Sequence, residues 1–463
     1  MMSVKQQIRQ TVEAMKKHNL ELIAVLSDAV SITDYSNLVR KGNNGGETVD
    51  VWTDAFQKAV QEHEIVRIPA SDTPYYMDGS IIVPSNRRIE ASDGAVIRQM
   101  EGVRVLLLRN EHTQDGTHAP ISGENRDTNI SIDGGRWEES WTRRLGYRRT
   151  GRYDDGDGFV GISTFMLFSN IDCVTLTNMT FANTAGFSVQ TGDANDLVFE
   201  NIEFDHCFAD GLHLNGNSEN ILARDIRGVV GDDLVALNMY DWLNSSVNFG
   251  PMRNVVCENL DQYESSPYKA LRIQPGIYWY DDGSSVDCAA ENFIIKNVRG
   301  VRTFKMYMQT PAYKLGEEPE RGAVGSGGNL FFEDIVIDLV KPLDETREQL
   351  ASDPVRGSFA GFEVNANIGL VVMENIDIKL YKEQFPYGYL VAFGPKSARN
   401  GDVEVFDPYF SSTVEKLVLK DIRVNGSTAY NVSDIVHEVV FDDINADGRS
   451  TGAGHVKEIV VDR

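Results

Sequence analysis

One phrase recurs along the chain: apolar, any, apolar, any, Asn or Asp, apolar, any, apolar. It reads Leu176-Thr177-Asn178-Met179-Thr180-Phe181, then Val198-Phe199-Glu200-Asn201-Ile202-Glu203-Phe204. It returns around Asp225, Asn259, Asn297, Asp334, Asn375, Asp421 and Asp443. Successive Asn/Asp marks are 23, 24, 34, 38, 37, 41, 46 and 22 residues apart. A base coil of 22–24 residues with inserted loops produces that series. Period-2 alternation predicts strands within each coil, and repetition at this period predicts that the coils stack. The Asn or Asp belongs where the chain turns between faces, because its side chain can bond nearby backbone or stack in a ladder. A leucine-rich horseshoe lacks its Leu spacing here, and a propeller lacks its four strands per repeat.

The expected fold is therefore all-β: a single-stranded right-handed parallel β-helix (solenoid) with an N-terminal helical cap. Residues 1–48 break the pattern and read as a helical or mixed extension, with a helix over Val4 to His18. Residues 49–463 read as the β-helix domain. A capped amphipathic helix near 53–62, with Thr53 or Asp54 near its start, should cover the open end of the solenoid. Almost no helix is expected after residue 65. A long loop is expected near 137–160. Its stretch from Trp137 to Tyr153 carries five arginines among Trp137, Trp141, Tyr147 and Tyr153. That stretch is a subunit contact or solvated loop, or else a lid over a sugar or acidic group. The following Asp154-Asp155-Gly156-Asp157-Gly158 lacks the spaced ligands and distal Glu of a calcium loop.

The chain of 463 residues is long enough for a sizeable core, and 40 glycines against 14 prolines suit a turn-rich β fold. A net charge of −25 weighs against nucleic acid and anionic membranes as partners. Cys173, Cys207, Cys257 and Cys288 form no CxxC pair and read as buried thiols, so no metal and no cofactor is expected. The first 26 residues do not read as a signal peptide, and no apolar run approaches the roughly 20 residues that span a bilayer. The expected location is cytoplasmic. A homo-oligomer is compatible with the sequence.

The candidate chemistry lies in Ala209-Asp210-Gly211-Leu212-His213-Leu214-Asn215 and Gly231-Asp232-Asp233-Leu234-Val235-Ala236-Leu237-Asn238. Each reads as carboxylate, alternating strand, then Asn. Asp210 and Asp232 are 22 residues apart, one coil, which predicts Asp210 over Asp232 and His213 over Val235. Three carboxylates then share one wall, and mutual repulsion should keep one of them protonated. A protonated carboxyl beside ionised ones supplies an acid and a base. Neighbouring coils add Gln190, Arg272, Gln274, Lys305 and Tyr307 to the outward patch. Tyr240-Asp241-Trp242 and Ile277-Tyr278-Trp279-Tyr280 add aromatic rims suited to sugar faces. The catalytic candidates are Asp210, Asp232 and Asp233. The substrate-binding candidates are Gln190, His213, Asn215, Asn238, Asp241, Trp242, Lys269, Arg272, Gln274, Trp279, Tyr280, Lys305 and Tyr307.

These motifs resemble the polygalacturonase-type glycoside hydrolases (family 28), which are right-handed parallel β-helices. Phe208-Ala209-Asp210-Gly211 is similar to the family's Asn-Thr-Asp-Gly. Gly231-Asp232-Asp233 is similar to its Gly/Gln-Asp-Asp, and Leu271-Arg272-Ile273-Gln274 to its Arg-Ile-Lys. The resemblance implies inversion at the anomeric carbon, with Asp232 as general acid, Asp210 and Asp233 holding water, and Arg272 binding substrate. Three features depart from the family. No Gly-His-Gly lies between Asp233 and Arg272, Gln274 stands where the family has Lys, and Phe208 stands for Asn. The expected function is an inverting glycoside hydrolase that trims imported plant or microbial oligosaccharides from an end. Two alternatives remain: a lyase or fructosyl-transferring enzyme on the same fold, or a non-catalytic tailspike-like carbohydrate-binding solenoid.

Overall fold

A computed structural model describes residues 3–103, 105–113, 125–141, 164–241, 246–263, 270–301, 306–309, 324–339, 359–383, 388–393, 397–400, 403–406, 413–438 and 456–462. The described chain is all-β in character, and its strands stack in parallel ladders, each strand on its counterpart one coil earlier. One ladder climbs Thr164–Thr177, Phe187–Cys207, Ser218–Val230, Met252–Gln262, Ala290–Val301, Ser326–Asp338, Asn367–Lys379, Val414–Lys420 and Val456–Asp462. A second climbs Leu212–Asn215, Val235–Asn238, Leu271–Gln274, Met306–Gln309, Phe359–Asn365, Gly388–Phe393 and Val436–Glu438. The alternation follows the pleat, so Leu212, Leu214, Val235, Leu237, Leu271 and Ile273 enter one continuous core.

The turn marks behave as the repeat predicts. Asn178, Asn201, Asp225, Asn259, Asn297, Asp334, Asn375 and Asp421 all take left-handed backbone, with φ between 51° and 58°. Asn tolerates that region because its short side chain can bond locally. Here it bonds the next coil instead: Asn201 Nδ2 donates to Asn178 Oδ1 at 2.8 Å, and Asn297 Nδ2 to Asn259 Oδ1 at 2.7 Å. Asp443 lies outside the described residues. A second ladder at another corner, Asp196, Asn220, Asn254, Asn292 and Asn329, was not anticipated.

The first helix, α1 (Val4–Ala24), is longer than predicted and lies along the side of the stack. Its start is fixed by a capping box between Ser3 and Gln6. Ile8, Val12 and Met15 pack on Val198, Leu222, Val256, Ile294 and Phe331, one outward residue from each of five successive coils. A helix of 21 residues is about 31 Å long, enough to bridge six coils at about 4.8 Å each. Lys5 with Glu333 and Lys16 with Glu200, both at 2.6 Å, flank the stripe, as do Arg9 with Glu258 and Glu13 with Arg224.

The second helix, α2 (Thr53–Glu62), falls where predicted. Phe56, Ala59 and Val60 enter the core at the solenoid's first coils. Gln57 bonds the Ile82 N–H and C=O, satisfying strand backbone that would otherwise be an open edge. The division expected at residue 48 falls inside the strand Glu47–Val51, and Val51 pairs with Tyr76. Among the described residues after 65 the one α-helix is Val432–Ile435.

Trp137 corrects the expected loop. It is the penultimate residue of the strand Asp127–Glu138, is fully buried, and donates Nε1–H to Gly134 O at 3.0 Å. Its inward pleat position decides this over its neighbours' charge. Residues 142–163, with the five arginines and Asp154 to Gly158, lie outside the described residues. No described helix is long and apolar enough to cross a membrane. All four cysteines are free and buried, and burial raises their thiol pKa values, that of Cys173 to about 11.

Candidate active site

The register here is 23 residues, one more than predicted: Leu212 pairs with Val235, His213 with Ala236, and Asn215 with Asn238. Asp210 therefore stacks on Asp233, not on Asp232. A backbone bond, Gly211 N–H to Asp233 O at 3.0 Å, and a backbone-to-carboxylate bond, Asp233 N–H to Asp210 Oδ1 at 3.1 Å, fix this alignment. The one-residue difference matters, because it decides which carboxylate stacks on Asp210. Asp210 and Asp233 are fully buried, while Asp232 is half-buried. One oxygen from each converges within 4.8 Å of the others.

Arg272 enters from the next coil, where it stacks beyond Ala236 and His213 on one outward column. Its Nε lies 3.0 Å from Asp233 Oδ2, and its Nη2 lies 3.5 Å from Asp210 Oδ2 and 3.8 Å from Asp241 Oδ2. Its side chain is 12% exposed. The repulsion expected among bare carboxylates is therefore met by a guanidinium set between them.

His213 lies between two carboxylates, with Nδ1 2.6 Å from Asp210 Oδ2 and Nε2 3.3 Å from Asp241 Oδ2. Its ring stacks on Phe187 at 3.6 Å between centroids and 13° between planes. Burial alone would lower the imidazole pKa; Asp210 and Asp241 outweigh it, and the pKa is raised. Asn238 Nδ2 donates to Asp241 Oδ2 at 3.2 Å. Phe187, which the sequence reading did not single out, shares the turn column of Asp210 one coil earlier. That register was its available signal.

The expected exposed wall is in fact covered. Gln190, His213, Asn215 and Asn238 are fully buried, Asp241 is 2% exposed and Gln274 4%. Gln190 Nε2 donates to Asn215 Oδ1 at 2.8 Å, and so does the Val247 N–H at 3.0 Å. Val247 lies over the wall and packs with Leu106 and with Leu167, the residue that stacks on Gln190 one coil earlier. Trp279 and Tyr280 are half-buried on and beside a hairpin, Gly276–Trp279 with Ser285–Cys288. There Tyr278 stacks on Phe249 at 4.1 Å and meets Tyr280 edge-on at 4.9 Å. A side chain at 276 would strike the Tyr240 ring, with Cβ only 2.1 Å from Cδ1, so glycine is required. Trp242, Lys269 and Lys305 lie outside the described residues, and Tyr307 is placed by its backbone pairing with Arg272.

Arg272 already brings positive charge among these carboxylates, which disfavours a cation there. A second convergence, Glu111, His112 and Asp127, is occupied by donors. Asp127 accepts from Ser85 Oγ, Asn110 Nδ2, His112 N and His112 Nδ1 at 2.7–3.1 Å.

No protein-family model matches the chain, and no curated protein matches it. Solved structures similar to it include the Yersinia enterocolitica family 28 exopolygalacturonase, at 12% identity over 94% of this chain and 78% of that one, TM-score 0.47. Another is the catalytic unit of a GH87 α-1,3-glucanase from Streptomyces thermodiastaticus, at 12% identity over 93% and 68%, TM-score 0.44. A third is PfbA, a surface adhesin of Streptococcus pneumoniae, at 12% identity over 86% and 91%, TM-score 0.44. Likenesses this distant, to hydrolases and an adhesin together, assign neither a family nor an activity.

Proposed function

We propose that this chain is an inverting glycoside hydrolase on a right-handed single-stranded parallel β-helix, acting from the end of an oligosaccharide. The observation that carries the reading is the ionic cluster of Asp210, Asp233, Asp241, His213 and Arg272. Its members are desolvated on the side of the wall away from the core, with Asp232 at its edge. Desolvating so many charges costs several kcal/mol per ion before pairing offsets it. Groups held at that cost cluster at functional sites.

The roles follow from access. Asp232 is half-buried, so a leaving-group oxygen can reach it, and it acts as proton donor. Asp210 and Asp233, buried behind Asp232, orient the water that attacks the anomeric carbon. His213 and Arg272 pair with the two carboxylates and hold them in place for that task. Hydroxyls and ring faces of the sugar meet Arg272, Trp279 and Tyr280 at the rim. Gln190, Asn215, Asn238 and Gln274 support from beneath.

The closest oxygens of the three carboxylates lie within 4.8 Å. Inverting pairs are commonly about 6.5–9.5 Å apart, and retaining pairs about 5–5.5 Å. The test is to incubate the protein with a panel of labelled oligosaccharides and read the first-formed anomer by NMR. An inverted product supports the proposal, and a retained one would overturn the water-holding roles of Asp210 and Asp233. An unsaturated product absorbing in the ultraviolet would favour a lyase. Binding without turnover, unchanged in Asp232→Asn, would favour a carbohydrate-binding solenoid, the reading that the deep burial of the wall supports.

A further inference from the structure

A cavity of about 550 Å³ opens near the C-terminal end of the described coils. Its lining includes Leu380 and Ile435 as apolar floor, Tyr389 and Tyr430 as aromatic walls, and Ser433 and Lys382 as polar groups. The volume is that of small-ligand sites, and the mix of aromatic and few polar groups is theirs as well.

Lys382 gives the cavity its character. Its Nζ lies 4.0 Å from the centre of the Tyr389 ring. That is a cation–π contact, which tolerates a desolvated ammonium but does not neutralise it. Among the described residues Lys382 makes no ion pair, in a chain whose net charge is −25. The nearest acid of the cavity, Asp434, is engaged with Asn431 Nδ2 at 3.0 Å. Burial lowers the Lys382 pKa and outweighs the opposing pull of Asp434. An arriving anion would relieve that penalty.

The cavity also lies in line with the carboxylates. Tyr389 stands two residues before Val391, as Asp233 stands two before Val235. Val235, Leu271, Met306, Phe362 and Val391 are successive rungs of one ladder. Four rungs at about 4.8 Å put the two places about 19 Å apart along the coil axis. The second site therefore shares the turn column of the first.

We propose that this cavity binds a sugar carrying one negative charge, a carboxylate or a sulfate, with the anion on Lys382 and the ring between Tyr389 and Tyr430. The inference goes beyond the catalytic reading and does not depend on it. The full chain is titrated with glucuronate, glucose 6-sulfate, glucose and acetate, and binding is read by saturation-transfer NMR and calorimetry. Both charged sugars should bind at least about tenfold more tightly than glucose or acetate, the range expected of a charge-assisted hydrogen bond added to ring stacking. Comparison of the first two tells carboxylate from sulfate. Lys382→Gln should erase the preference over glucose, and Tyr389→Leu should weaken both charged sugars. Asp232→Asn should leave both affinities unchanged, which separates this site from the carboxylate cluster. Acetate binding as tightly as glucuronate, an unaltered preference in Lys382→Gln, or loss of binding in Asp232→Asn would each overturn the proposal.

Discussion

Arg272→Met isolates the electrostatics of the cluster. Methionine keeps much of the arginine stem's packing but removes the guanidinium, which lies 3.0 Å from Asp233, 3.5 Å from Asp210 and 3.8 Å from Asp241. The arginine is 12% exposed and its partners at most 1%, so solvent screens little of the loss. Removing one partner of a buried ion pair typically costs about 3–5 kcal/mol, chiefly because the other charges stay buried and uncompensated. In urea, at a slope of about 3 kcal/mol per M, the midpoint should fall by about 1–1.7 M with the slope unchanged. Asp233→Asn removes one of the stranded charges. In the Arg272→Met background it should therefore cost less than it does alone, with a coupling of about 1–3 kcal/mol. The readout is tryptophan fluorescence of all four forms across a urea series. A single variant within about 0.5 kcal/mol of wild type, or strictly additive variants, would refute a cluster held by Arg272.

The His213 pKa is raised in the folded chain. Its pairing with Asp210 and Asp241 therefore contributes stability that is fully present below about pH 6.5 and is lost as pH rises through the folded value. The stability gap between wild type and His213→Gln should narrow on going alkaline; a gap that widens contradicts the pairing. Asn259→Ala forces alanine to φ 58° and removes a 2.7 Å ladder bond to Asp225, so it should cost about 1–3 kcal/mol by urea midpoint. Ile8→Ala, which opens the α1 contact on the coil stripe, should cost about 2–5 kcal/mol. Removal of residues 1–25 should expose Val198, Leu222 and Val256 on that stripe and drive concentration-dependent association in size-exclusion chromatography. A truncated chain that stays monomeric and equally stable would contradict the brace.

The coil period, the turn asparagines and α2 were legible because each follows from local chemistry: alternation for strands, left-handed tolerance for Asn, an amphipathic period for the helix. The docking of α1 was not. Its apolar face is plain, but its partner is assembled from one outward residue per coil, spread from Val198 to Phe331, and looks like chance when read along the chain. The sequence brought Asp210, Asp232, Asp233, His213 and Arg272 to one wall, as the structure does, but misjudged the rung by one residue, because a coil of 22 and a coil of 23 fit the repeat equally well. The backbone bond between Gly211 and Asp233 selects 23. Burial of the wall was also illegible. Strand alternation tells which side chains leave the core, not whether a further layer, here including Val247, covers them.

In the proposed reaction Asp232 delivers the proton to the leaving group. Asp232→Asn keeps the shape and removes the proton, and kcat should fall by about 10²–10⁴-fold with folding intact. The decisive measurement is that fall on a poor leaving group and on an activated aryl glycoside of the same sugar. The account predicts a large loss on the first that shrinks on the second, which needs no proton, while Asp233→Asn loses activity on both. Near wild-type turnover by Asp232→Asn on the poor leaving group would contradict it.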